Sequence, residues 1–255
     1  MTEFITVESI KPQLALITLN RPERRNALCI ELLDDLCACV KKMATEKTAR
    51  VVILRGAGSV FSSGLDLSEA SNPELVQRSA EAVSRALQLM RATPVVTIAA
   101  AHGGAYAGGA GLMAACDIAV GTTELKIGFP EARRGLLPAL ICAVLSVKVR
   151  EGDLRELFLA GDPIDAARAH QIGLLQHLVT PDALLKKATE IANSVLAGGP
   201  ETIAATKMLL NDAYQPTAAT SIQHMLDVHL GARRSLEATE GLAAFLEKRS
   251  PNWMG

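Results

Sequence analysis

His102-Gly103-Gly104-Ala105-Tyr106-Ala107-Gly108-Gly109-Ala110-Gly111 is an apolar, glycine-dense turn. It runs directly into Leu112-Met113-Ala114-Ala115-Cys116-Asp117, which reads as a core helix. A helix that begins at glycines presents free backbone N–H groups at the positive end of its dipole, so negative charge is favoured there. Twenty residues after Gly111 comes Glu131, preceded by Phe129-Pro130, a carboxylate in an otherwise apolar setting. A backbone anion hole beside one carboxylate is the minimum equipment for stabilising an enolate and moving its proton.

Outward from this stretch, helices and strands alternate. Thr6–Ile10 alternates as a half-buried strand, and residues 14–19 read as its partner. Residues 20–26 form an arginine-rich loop. A helix is predicted from about Cys29 to Thr45, and a fully apolar strand over 51–56. The loop 56–67 follows, then a helix over 71–91, a buried strand over 94–99 and further strands at 118–120 and 125–128. Strand pairs and helices of this kind are expected to recur to about residue 180. Beyond it, 181–196, 200–214 and 216–246 read as mostly helical, with Pro200 and Pro216 as helix starts. The division expected is a mixed α/β core over residues 1–195 and a helical region over 196–255.

Composition narrows the partners. The chain has 255 residues, 49% of them hydrophobic, enough for one large core. A formal net charge of −1 and 3% aromatics argue against nucleic acid or an anionic membrane surface as the main partner. The five cysteines, Cys29, Cys37, Cys39, Cys116 and Cys142, are odd in number and form no C-x-x-C pair; they read as buried free thiols in a reducing, cytoplasmic setting. No metal site is expected. Met1–Pro12 lacks the apolar run of a secretory signal. Residues 94–116 are long and uncharged enough to test a membrane reading, but glycines break them, and a buried strand, turn and helix is expected instead.

Four motifs in order carry a family resemblance. They are Leu19-Asn20-Arg21-Pro22-Glu23-Arg24-Arg25-Asn26-Ala27-Leu28, Phe61-Ser62-Ser63-Gly64-Leu65-Asp66-Leu67, the Gly108 turn with Ala115-Cys116-Asp117-Ile118-Ala119, and residues 240–249. Together they resemble the enoyl-CoA hydratase/isomerase superfamily, also called the crotonase family, over essentially the whole chain. The resemblance implies an α/β crotonase-like spiral of ββα units with a C-terminal helical trimerisation region. It implies assembly into a trimer or dimer of trimers, and acyl-CoA thioester substrates, with coenzyme A entering as part of the substrate and no separate cofactor.

Carried over by motif, the anion hole belongs to the backbone N–H groups of Leu65 and Gly108. Such donors survive side-chain substitution, and losing one costs about 10²–10³ in rate. Glu131 resembles the second of two glutamates in the family's hydratases; the first would fall at Gly111, so one carboxylate must act alone. Pro138-Ala139-Leu140 is similar to a bacterial branch associated with methylglutaconyl-CoA-type hydration, which also carries glycine at the first glutamate position. Arg24, Arg25, Ala27, Ser63, Gly64, Leu67, Gly109 and Gly111 are the expected substrate or CoA contacts. Asp66 orients the anion-hole loop, contacts the nucleotide, or caps the helix that follows. Phe245 and Lys248 resemble C-terminal positions that reach a neighbouring subunit's CoA. His102 is expected to be a packed or hydrogen-bonded residue beside the turn, and His170, His177, His224 and His229 show no ligand spacing. The leading expectation is hydration of a 2-enoyl-CoA. A Δ3–Δ2 enoyl-CoA isomerase using the same glutamate, and a non-catalytic acyl-CoA-binding protein, are the alternatives.

Overall fold

Alternate residues of the central strands face two different cores, and this sets the architecture. A computed structural model describes residues 4–215 and 217–254. In it β1 (Ile5–Lys11) and β2 (Gln13–Leu19) form an antiparallel pair. Parallel strands β3 (Ala49–Gly56), β4 (Val96–Ala101), β6 (Ile118–Thr122) and β9 (His177–Val179) extend it in the order β1-β2-β3-β4-β6-β9. Leu14, Leu16, Val51, Ile53, Ile98 and Val120 pack on one face, against Leu184, Ala188 and Ala192 of α8 (Leu184–Leu196). Ile17, Leu19, Val52, Leu54 and Ala99 point the other way, into the larger core with α1 (Ile30–Thr45), α3 (Val76–Ala92) and α4 (Gly108–Ala115). A strand buried on both faces reads as a continuous apolar run, as 14–19 and 51–54 do.

A second sheet of β5 (Gly104–Tyr106), β7 (Lys126–Gly128) and β8 (Ile164–Asp165) stands beside the first. Single bridges tie Ser62 to Ala105 and Leu28 to Leu65, so the two glycine-containing loops are laced together. Short α2 (Leu67–Ala70) follows the first loop. After β7 come α5 (Ala139–Leu145), α6 (Glu151–Ala160) and α7 (Ala166–Gln171). The chain closes with α9 (Pro200–Ala213), α10 (Ile222–Ala232) and α11 (Leu236–Glu247).

Several expectations need correction. The helix expected from Ser71 begins at Val76, because Pro73 disfavours helical backbone at Asn72 and the Asn72 side chain accepts from Glu74 N–H to make a turn. Strand pairing thins out well before residue 180: beyond β7 only β8 and β9 remain, and three helices fill the interval. Among the described residues of the stretch 216–246 a 3-10 turn at Ala218–Thr220 precedes two α-helices, each begun by a serine cap: Ser221 accepts from His224 N–H and Ser235 from Ala238 N–H. The expected helix start at Pro216 lies outside the described residues. The uncharged run 94–116 is β4, β5 and α4, and among the described residues no helix is long and apolar enough to cross a membrane.

Lys207 of α9 pins the C-terminal helices to this core. Its buried ammonium donates to the carbonyls of Met90 and Val95 at 2.9 Å and to Asp117 Oδ2 at 2.8 Å. Asp117 in turn accepts from Thr97 N–H, at the point where β4 meets β6.

Candidate active site

The first loop is held by a buried polar clip. Asn26 donates to the carbonyls of Ala57 and Val60, and its own carbonyl accepts from Ser62 Oγ at 2.8 Å. Ser62 Oγ also accepts from Gly64 N–H. Gly64 sits at φ +91°, and a β-carbon there would lie 2.7 Å from the Tyr106 carbonyl, so the loop requires glycine at this point. Leu28 N–H donates to Gly64 and Asp66 N–H donates to Leu28. The N–H of Leu65, between them, is thereby turned to the opposite side and has no acceptor among the described residues.

The second loop meets the first at its most crowded place. Ala107, at φ +49° and ψ −125°, makes the corner before α4, and its N–H donates to the Gly128 carbonyl. This is backbone that a β-carbon disfavours, at a cost of about 1–3 kcal/mol. Gly108 then opens α4 with its N–H unpaired among the described residues, as the first turn of a helix requires. A β-carbon on Gly108 would lie 3.8 Å from Leu65 N, so the two amides lie close together, and both residues line one cavity.

Glu131 stands in the wall of the same cavity, which has a volume of about 320 Å³. It begins the turn Ala132–Arg134, and its backbone carbonyl accepts from Arg134 and Leu136, so the main chain at this point is fixed. The residue is 8% exposed, and Oε2 is buried with no hydrogen-bond partner among the described residues. Burial pushes its carboxyl up to about 7, while its own backbone N–H and the charge of Arg134 oppose the rise. Neither neighbouring arginine neutralises it by an ion pair. Arg133 pairs with Asp162 at 2.5 Å, and the Arg134 guanidinium lies over the Phe245 ring at 4.1 Å. An orphaned carboxyl titrating near neutrality in an apolar cavity is equipped to accept and return a proton.

The structure brings Arg24, Arg25, Ala27, Ser63, Leu65, Asp66, Leu67, Gly108, Glu131 and Phe245 to this one cavity. Asp66 caps α2, accepting from Ser68 N–H, and also pairs with Arg21 at 2.9 Å; it orients the loop in both ways. Burial raises its carboxyl, but the bonds from Ser68 and Arg21 outweigh that and hold it below the usual range. Gly64, Gly109 and Gly111 do not line this cavity, and a β-carbon on Gly109 would meet Ser62 at 2.7 Å. Lys248 is also off this wall, an exposed residue at φ +56° that ends α11. Phe245 lines the cavity of its own chain. His102 Nε2 lies 2.9 Å from the Gly58 carbonyl, a hydrogen bond beside the turn.

Among the lining residues not anticipated are Arg134, Leu137, His229 and Arg233. His229 lies in the last turn of α10 and Arg233 is the residue that caps its C-terminus, four positions on, a spacing that puts the two side chains side by side. Arg233 Nε–H donates to His229 Nε2 at 3.2 Å, so that nitrogen carries the lone pair; Nδ1 faces the Leu137 carbonyl at 3.4 Å. Burial, and then the Arg233 charge, push the His229 ring down to about 4. It is a neutral structural ring at ordinary pH.

The sequence pattern of the enoyl-CoA hydratase/isomerase family matches residues 9–255. YngF of Bacillus subtilis, which carries the name of that family, is 32% identical over 246 residues, 95% of each chain. A crystal structure of an enoyl-CoA hydratase from Mycobacterium avium superposes with a TM-score of 0.88 at 30% identity, covering 99% of this chain and 100% of that one. An enoyl-CoA hydratase from Bacillus anthracis gives 0.80 at 30% identity, covering 97% and 98%.

Proposed function

The chain belongs to the enoyl-CoA hydratase/isomerase family, and on that premise we propose that it adds water to a 2-enoyl-CoA thioester with Glu131 as its lone acid and base. The observation that supports this reading is the buried Glu131 carboxyl, with Oε2 unpartnered, in the wall of the same cavity as Leu65 and Gly108, whose N–H groups have no acceptor among the described residues. In it the thioester oxygen takes the two N–H donors, which polarise the conjugated double bond and stabilise the enolate as charge arrives. Glu131 in its carboxylate form draws a proton from water as the oxygen adds to the carbon distal to the thioester. The carboxylic acid then returns a proton to the carbon next to the carbonyl.

One observation favours a second reading. Ile141 packs where a side chain at position 111 would project, 3.2 Å from a β-carbon built on Gly111, so that position supplies no carboxylate to help hold water. A lone carboxyl against an apolar wall also suits proton transfer between two carbons, which is Δ3–Δ2 isomerisation. Ultraviolet absorbance separates the two: the conjugated thioester signal is lost on hydration of crotonyl-CoA and gained from a 3-enoyl-CoA on isomerisation. Absence of proton exchange next to the thioester in deuterated water, with tight acyl-CoA binding, would leave only a binding protein.

Self-association into a trimer or dimer of trimers belongs to the same proposal. It is supported by Leu159, Leu209, Leu210 and Leu236, exposed on the outer helices α6, α9 and α11. Light scattering on the purified protein tests it.

A further inference from the structure

Arg233 is a half-buried guanidinium on the cavity wall with no acid to answer it. Its Nε–H goes to His229 and its Nη1 donates to the Ala70 carbonyl at 2.7 Å, so the group is anchored by two neutral acceptors. Other cations near the two loops and at the foot of α9 have an acid. Arg21 has Asp66, Lys207 has Asp117, and Arg134 feels Glu131. Burial alone acts on Arg233 and lowers its affinity for its proton; no acidic group among the described residues offsets it. A guanidinium in such a place carries an uncompensated desolvation cost, which an incoming anion removes.

We propose that Arg233 is the receptor for a carboxylate on the acyl part of the substrate, so that the cavity favours thioesters of dicarboxylic acids. This rests on the reading that the cavity holds an acyl-CoA thioester. Placement separates the guanidinium from the arginines expected at the CoA end. Arg24 and Arg25 belong to the loop between β2 and α1. Arg233 instead follows α10, which packs on α3 and α5, the helices that carry Val83 and Ile141 into the apolar wall. The neutral His229 ring takes one donor and holds the fork in a fixed plane, the geometry that bidentate carboxylate binding uses.

Calorimetry with saturated thioesters tests this without turnover, so a failed Arg233 assignment and a failed hydratase reading are told apart. Glutaryl-CoA carries the terminal carboxylate, and 5-methylhexanoyl-CoA is its uncharged isostere. Glutaryl-CoA is expected to bind about tenfold tighter or more, and Arg233→Met to collapse that ratio to near one. Where Arg233→Met does not fold, Arg233→Gln, which can still donate to the Ala70 carbonyl, decides on the same ratio. The pantetheine thioesters, which lack the CoA phosphates, are expected to show the same ratio and the same collapse. The assignment is overturned if the wild-type protein shows no preference, or if the variant weakens both ligands equally. It is also overturned if the variant weakens only the CoA thioesters and spares the pantetheine ones, which would make a CoA phosphate the anion.

Discussion

Ile141 and Gly111 fill each other's space: the isoleucine Cγ1 lies 3.2 Å from where a β-carbon at 111 would stand. Installing the missing carboxylate is therefore not a simple addition. Gly111→Glu is expected to lower unfolding free energy by about 1–3 kcal/mol, the usual range for overfilling a packed core. Pairing it with Ile141→Ala should recover part of that loss, because the two changes share one volume. Urea unfolding of the two single variants and the double variant reads the coupling directly.

The Glu131 carboxyl sets a pH dependence of known sign. Its folded pKa, about 7, is above the ordinary 4.5, so the folded chain holds a proton that the unfolded chain has released between these values. Stability is then greatest below about pH 4.5 on account of this group, and falls as pH rises to about 7. The span is on the order of 3 kcal/mol. Glu131→Gln should remove this slope, gaining stability relative to wild type at pH 8 but not at pH 4. The same substitution is expected to cost about 10²–10⁴ in kcat. Wild-type kcat/KM should rise with pH through about 7 if the carboxylate is the working form. Guanidinium unfolding at the two pH values, with a pH–rate profile, checks both parts.

Gly108→Ala separates folding from chemistry. The added methyl would meet Leu28 Cδ1 at 3.6 Å and Leu65 N at 3.8 Å, ordinary contact distances, and the position is helical rather than left-handed. The fold should stand, with a melting temperature within a few degrees of wild type, while the methyl group occupies the space an oxyanion needs. A fall of about 10² or more in kcat is expected. Equal loss of stability and activity would show that the glycine serves packing only.

Removing the ammonium that fastens α9 should be severe. Lys207→Met leaves two buried carbonyls and the Asp117 carboxylate without their donor. The expected cost is about 3 kcal/mol, reduced from the upper range because Asp117 is partly exposed. Asp117→Asn, which keeps an acceptor, should cost less. Denaturant midpoints of the two variants decide the order.

Legibility from the residues alone followed the range of the physics involved. Leu14 to Leu19 and Val51 to Leu54 announce strands buried on both faces, because local alternation between two cores leaves an unbroken apolar run. Glu131, Leu65 and Gly108 were legible through their motifs, and the structure brings all three to one cavity. Ser71 failed as a helix start because one proline outweighed the periodicity around it. His229 and Arg233 carried no signal because their partners, Leu137 and Ala70, lie 92 and 163 residues away in the chain. Only tertiary folding makes a pair of them with the cavity. What fills the gap left by Gly111 was equally invisible, since Ile141 reads as one more core residue of an apolar helix.

The corner at Ala107 has a further meaning. Its backbone is held in a tense posture by the Gly128 carbonyl and by the start of α4, before any ligand arrives. Tension stored during folding holds the neighbouring amide of Gly108 at the start of α4, much as a cocked latch holds its tongue. Reaction then demands no rearrangement of that corner, and relaxing the turn would loosen that hold even with every functional side chain still in place.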